Sequence, residues 1–124
     1  MSSKQQREVT VADVLAKTLE LFGPKGEQWI KGYEERWLST GYAYCIFGGI
    51  DKASQILKAG NICNDTKKKV ANALPRAYRK YAFLVDHVYD AENSIANFND
   101  DPKRTFAQVK RKLCSVLKKE LGIK

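Results

Sequence analysis

Apolar residues recur at helical spacing along most of this chain. Val11, Val14, Leu15, Thr18, Leu19 and Phe22 share one face at a 3.6-residue period. Thr10, with Asp13 three residues later, reads as an N-cap related to the capping box, and Gly23-Pro24 as a stop. A second stripe, Tyr42, Cys45, Ile46, Gly49, Ile50, Ala53, Ile56 and Leu57, predicts a helix over 42–58, capped by Ser39 or Thr40 and ended by Gly60-Asn61. Gly48-Gly49 in its interior costs about 1 kcal/mol per glycine relative to alanine, which calls for close approach of another backbone.

Asn64-Asp65-Thr66 offers the next N-cap, followed by Val70, Ala73 and Leu74. Beyond Pro75, the positions Ala77, Tyr78, Tyr81, Leu84, Val85, Val88 and Tyr89 predict a helix over 75–90. Residues 97–102 form a turn cluster. Thr105 and Gln108 make a capping box ahead of a last stripe of Phe106, Val109, Leu113, Val116, Leu117 and Leu121. Between 24 and 41 the chain is punctuated by Gly26, Gly32 and Gly41 and carries Trp29, Tyr33 and Trp37. Indoles on such a connection anchor it to the core, with ligand stacking as the sharper alternative. No stretch sustains period-two alternation. The pattern predicts an all-α fold, a compact single-domain bundle of four to five helices, with residues 1–9 as a flexible N-terminus and 10–124 as the domain.

Composition narrows the class. The 124 residues are 44% hydrophobic and 10% aromatic, enough for one core and too apolar for a disordered tail. No apolar run approaches the roughly 18 residues that span a bilayer, and the N-terminus lacks a signal-peptide pattern, so a soluble, cytoplasmic protein is expected. The net charge of +8 is unevenly placed, with +1 over residues 1–62 and +7 over 63–124. Such asymmetry points to an anionic partner, against the plainer reading of a solubilising surface.

Three widely spaced cysteines, Cys45, Cys63 and Cys114, and one histidine, His87, give neither a disulfide framework nor a zinc pattern. Cys45 and Cys114 fall on apolar stripes and are expected to be buried. His87 beside Asp86 on one helix would project about 100° away from it and make no dyad. Gly23-Pro24-Lys25-Gly26 lacks phosphate-loop spacing. Catalysis is unsupported, and no cofactor or metal is expected. Binding has more in its favour. Arg76, Arg79 and Lys80 fall at i, i+3 and i+4 with Tyr78 and Tyr81 beside them, a pattern suited to phosphate pairing and base stacking. Lys68 lies in the 67–69 run near a predicted helix N-terminus, and Lys103, Arg104, Lys110, Arg111, Lys112, Lys118 and Lys119 flank the last helix.

Trp29-Ile30-Lys31-Gly32, followed by Cys45-Ile46-Phe47-Gly48-Gly49-Ile50 with Ala53, and then Ile95, Phe98, Asn99-Asp100, Arg104-Thr105 and Val109 carry a resemblance. They resemble a small uncharacterised family of bacteriophages, prophages and bacteria, read as W-x-x-G, C-x-x-G-A-hydrophobic-x-x-A and W-N-D…R-T…V. Phe98 stands where that family has tryptophan and Gly49 where it has alanine, both mild packing changes. The likeness covers about residues 10–120. It implies a compact cytosolic accessory protein of viral type, in the host cytoplasm if viral, and no activity. Bottom-up, Trp29, Gly32, Cys45, Gly48, Gly49, Asn99, Asp100 and Thr105 read as structural, Asn99-Asp100 serving turn amides.

The expected function is a non-enzymatic viral or prophage-type binding protein, serving in evasion of host defence. Its basic second half, with Lys68, Arg76, Tyr78, Arg79, Lys80, Tyr81, Arg104 and Arg111, would take a nucleotide-like small molecule or nucleic acid. The rival is a protein–protein inhibitor or assembly factor docking on an acidic host protein. Neither reading involves a membrane, and both are compatible with a homo-oligomer.

Overall fold

Thr10 and Asp13 form the expected reciprocal capping box, and α1 (Val11–Phe22) follows it. The structure, a computed structural model, describes residues 8–79 and 84–123. After α1 come β1 (Glu35–Leu38), β2 (Gly41–Tyr44), α2 (Ile46–Ile56), α3 (Gly60–Asn72), a 3-10 turn (Arg76–Tyr78), α4 (Val88–Asp100) and α5 (Phe106–Glu120). Among the described residues the fold is five α-helices carrying a small antiparallel hairpin. α1 packs on α2, α3 and α5, while α3 packs on α2 and α4. Val14, Leu15, Phe22, Ile46, Ile50, Val70, Ile95, Val109 and Leu113 are fully enclosed in the core between them.

The predicted helix over 42–58 starts only at Ile46. Tyr42 lies in β2 instead, and Ser39 and Thr40 form the hairpin turn rather than a helix cap. Ala43, Tyr44, Cys45 and Ile46 are buried consecutively, so the chain enters the core as a strand before it begins to coil. The helical stripe was an overlap of two patterns. Cys45 is the N-cap, its Sγ accepting from the Gly48 N–H at 3.4 Å. The need for glycine at 48 is met as expected: a Cβ there would lie 1.9 Å from the Glu34 carbonyl oxygen. Trp29 is half-buried and anchors its loop, whereas Trp37 is 66% exposed on β1.

Gly60-Asn61 opens α3 rather than ending α2, and the expected cap at Asn64 lies inside α3. The turn between the two helices is made at Lys58, with φ of 55°. Nor do the described residues between Pro75 and His87 form the helix expected over 75–90. Pro75 precedes the 3-10 turn, and the Asn72 side chain holds Val85 by accepting from its N–H at 2.7 Å and donating to its carbonyl at 2.8 Å. That amide clamp ties the end of α3 to Val85, which is itself outside any helix. Lys80 and Tyr81, expected on this helix, lie outside the described residues, as do 1–7 of the expected flexible N-terminus. His87 is exposed and caps α4, its Nδ1 accepting from the Tyr89 N–H at 3.1 Å. Residues 97–100, expected in a turn, finish α4, which stops ahead of Pro102 because the residue before proline is disfavoured in the helical region. Thr105 and Gln108 form the predicted capping box on α5. Cys114 is half-buried rather than buried.

A lysine at positive φ carries a steric cost of roughly 1–2 kcal/mol that glycine lacks. Lys58→Gly should therefore raise stability by about 1 kcal/mol in urea melts. An unchanged or lower midpoint would show that the Lys58 side chain contributes more than its backbone costs.

Candidate anion-binding surface

The motif residues converge on one buried amide. Asn99, fully enclosed near the end of α4, accepts through Oδ1 from Trp29 Nε1 at 2.7 Å and from the Ile46 N–H at 3.1 Å. Its Nδ2 donates to the Ile30 carbonyl at 3.0 Å and to Asp100 Oδ1 at 2.9 Å. Asp100 Oδ1 in turn accepts from the Gly32 N–H at 2.8 Å, where the chain reverses with φ of 82°. The side chain expected to serve local turn amides instead binds the loop before the hairpin and the first amide of α2. Trp29, Gly32, Asn99 and Asp100 are thus one network, with Cys45 and Gly48 capping the helix beside it.

Several cations are already committed to structure. Arg104 stacks over Phe98, its Cζ 3.7 Å from the ring centroid. It donates to the Phe98 carbonyl at 2.9 Å and to the Tyr78 hydroxyl at 2.7 Å. That hydroxyl donates to Asp101 Oδ2, also at 2.7 Å. The Lys103 N–H and the Tyr78 hydroxyl hold the Asp101 carboxyl below its usual range, and the bond to Asp101 pushes the Tyr78 phenol up. Tyr78 and Arg104, both expected at the ligand site, are brought together, but by each other and by Asp101. Lys67 is 3% exposed, with Nζ 2.7 Å from Asp51 Oδ1 and in a second ion pair with Glu92. Burial disfavours its ammonium, yet hydrogen bonds to the two carboxylates outweigh this and hold its pKa above the ordinary value. Sequence reading missed this triad, although Lys67 lies four residues after Cys63 and three before Val70, on the buried stripe.

The other predicted cations are spread over several elements. Lys68 is half-buried on α3. Arg76 is exposed in the 3-10 turn and Arg79 half-buried just after it, so these two do not share the α-helical face expected of them, and Lys80 lies outside the described residues. Arg111 is exposed on α5, where the structure does assemble positive charge. This helix carries five basic side chains against one carboxylate, Glu120. One open groove of about 330 Å³ between α3 and α5 is lined by Lys69, Asn72, Lys112, Ser115, Lys119 and Glu120. A second, of about 410 Å³, runs along α5 past Arg111, Ser115, Lys118, Lys119 and Ile123. In the first, Lys69 pairs with Glu120 at 3.1 Å and Lys112 Nζ donates to the Ala73 carbonyl at 2.9 Å, the orphan acceptor at the end of α3.

The nucleophile candidates are occupied elsewhere. Burial pushes the Cys45 thiol up to about 11, and Cys63 donates to Asp51 at 3.3 Å. Among the described residues no group of three or more His, Cys, Asp or Glu side chains is placed to hold a metal ion. No helix among them is long and apolar enough to cross a membrane.

Residues 6–116 match DUF6197, a family of unknown function. The chain belongs to this family. The Asn99 network falls inside the matched span, whereas on α5 Arg111 and Lys112 lie inside it and Lys118 and Lys119 beyond its end. The chain is also similar to a bifunctional glutamine synthetase adenylyltransferase/adenylyl-removing enzyme of Rhizobium meliloti (strain 1021), 26% identical over 125 residues. That match takes in 96% of this chain and 13% of the enzyme, so the chain spans about an eighth of its relative's length. No solved structure matches.

Two expectations follow for this DUF6197 domain. Lys67→Met leaves two facing carboxylates without their cation and should cost about 3 kcal/mol in urea melts, whereas Lys69→Met, breaking an exposed pair, should cost under about 1 kcal/mol. Equal losses would show that burial does not separate the two pairs. In thiol labelling under native conditions Cys114 should react first and Cys45 last. The folded state keeps the Cys45 proton that an unfolded chain releases, so stability should fall as pH rises from the ordinary 9.0 toward about 11. Early labelling of Cys45 would contradict its enclosure.

Proposed function

We propose that this domain is a non-enzymatic accessory binder of viral or prophage type, acting in the cytoplasm in evasion of host defence, whose α5 surface takes an anionic partner. The observation that carries the reading is the pair of cation-lined grooves along α5, holding Arg111, Lys112, Lys118 and Lys119 with a single carboxylate between them. Arg111 with Lys118, and Lys112 with Lys119, are each seven residues apart, about 10 Å along the helix axis. Two rows of charge at that spacing suit an extended polyanion, a nucleic-acid backbone, better than one nucleotide held in an enclosed pocket. Binding rather than catalysis is favoured by the work the reactive groups already do: Cys45 and His87 cap helices, and Tyr78 and Arg104 complete an internal cluster.

The plainer role of Lys118 and Lys119 is to complement the C-terminal end of the helix dipole. Arg111, about two and a half turns from the end, has no such role. A second reading, an acidic host protein as partner, is favoured by Leu121 and Ile123, 57% and 54% exposed beside Lys118 and Lys119. The similarity to one part of an adenylyltransferase adds no substrate to either reading.

Fluorescence anisotropy with labelled single- and double-stranded oligonucleotides at low and moderate salt tests the proposal. Binding should weaken steeply with salt, and the triple variant Arg111→Ala, Lys118→Ala, Lys119→Ala should lose about tenfold or more in affinity while its log–log salt slope drops by about three. No binding at low salt, or an unaffected variant, overturns it. A partner retained from host lysate after nuclease treatment and high salt would favour the protein reading.

A further inference from the structure

The hairpin carries an exposed surface that the α5 proposal does not use. Trp37 is 66% exposed, Tyr33 53% and Tyr42 51%. Trp37 meets Tyr42 across the strands with ring centroids 4.8 Å apart, and Arg36 lies over Tyr33 at 4.9 Å. Tryptophan, tyrosine and arginine are the residues that concentrate binding energy in protein interfaces. Glu35, Arg36 and Trp37 are all exposed, so β1 projects from the body of the domain.

The outer edge of β1 is open. The Glu34 carbonyl accepts from the Cys45 N–H at 3.3 Å, so Glu34 faces β2. In an antiparallel ladder the bonded positions alternate, which turns Arg36 inward and directs the N–H and C=O of Glu35 and Trp37 outward. Tyr44, opposite Glu35, shows the same parity: its own N–H and C=O bond on its far side to Gln28 and Ile30, at 2.9 and 3.0 Å. Among the described residues the outward groups of Glu35 and Trp37 make no backbone bond beyond the ladder. An open strand edge is a template for a further strand.

The sequence at that edge is complementary to itself. Tyr33-Glu34-Glu35-Arg36-Trp37 reads aromatic, acid, acid, base, aromatic about Glu35. Two copies paired antiparallel with Glu35 opposite Glu35 place Glu34, the residue just before β1, across from Arg36 twice, and pairing that straightens the bend at Glu34 would bring Tyr33 across from Trp37 twice. Parity permits this register, because the bonding residues then face one another. The other permitted registers over this strand are poorer: one sets Arg36 against Arg36, and one sets Trp37 against Trp37 without either ion pair. Opposite charges facing each other across strands stabilise a sheet and like charges oppose it.

We propose that β1 pairs with β1 of a second copy of this chain, joining two hairpins into one four-stranded antiparallel sheet about a two-fold axis centred on Glu35. A strand pair this short buries less than the roughly 1,200 Å² of a stable interface, so the dimer is weak and concentration-dependent. The two Glu35 carboxylates oppose each other at its centre and limit its affinity.

Sedimentation equilibrium of the full chain from about 10 μM to about 1 mM tests this, a range reaching weak self-association. Wild type should shift from monomer to dimer across it. Arg36→Glu should weaken the dimer about tenfold or more, and adding Glu34→Arg should restore it by reversing both pairs. Glu35→Gln should tighten it about threefold or more by removing the central repulsion. All these positions are exposed, and circular dichroism checks that each variant folds. A wild type that stays monomeric throughout, a dimer indifferent to Arg36→Glu, or a double swap that fails to restore pairing each overturns the proposal.

Discussion

One buried side-chain amide holds the two unlike parts of this molecule together. Asn99 sits at the end of α4 with every polar atom engaged, and its partners come from the Trp29 loop and from the first turn of α2. Inside a core, an unmet amide costs far more than the same group in water, so the network favours one arrangement of loop and helices over nearby alternatives. The hairpin has little core of its own, with β1 mostly exposed; its position comes from Ile30 and Tyr44 pairing on one side and Asn99 below. Remove that amide and the Trp29 N–H, the Ile30 carbonyl and the Ile46 N–H lose their partner together.

The positive charge divides into two populations. Lys67 and Arg104 are enclosed or stacked and answered by carboxylates, so they act within the fold. Arg111, Lys118 and Lys119 line open grooves on α5. Net charge alone made no distinction between them. The division matters because a cation bound to a protein carboxylate contributes little to the long-range field, while unanswered cations along one helix add up. The +7 of the second half already counts its carboxylates, so pairing leaves the excess in place and decides where it is displayed, on the open face of α5.

Most of the residues on which the resemblance rests belong to the Asn99 network and the caps beside it, and DUF6197, which takes in residues 6–116, is a family of unknown function. The α5 cations and the Tyr33–Trp37 edge lie outside that network. The family carries no known function, which is why the functional reading rests on the grooves.

Where an element is held by its own residues, the sequence was readable. The caps at Thr10 and Thr105, the stripes of α1 and α5, and the close approach at Gly48 follow from local hydrogen bonding, periodicity and size. The basic run on α5 was visible too, since its helix is amphipathic and its exposed face follows from the buried one. What depended on distant partners was not. The stripe from Tyr42 mixed a strand with a helix because β2 is buried like a helix face by neighbours far along the chain. The helix expected over 75–90 is absent from its described residues before Val88, where Asn72 clamps Val85, and α4 ran through a turn-like Asn99-Asp100 because those side chains found partners about 70 residues away. Lys67, one of three consecutive lysines, became a core residue only when α2 and α4 brought Asp51 and Glu92 to it. Local composition and period determined which segments would coil; the long-range polar contacts decided where they stop and which charges remain outside, because a buried polar group takes its energy from whatever partner the finished fold supplies.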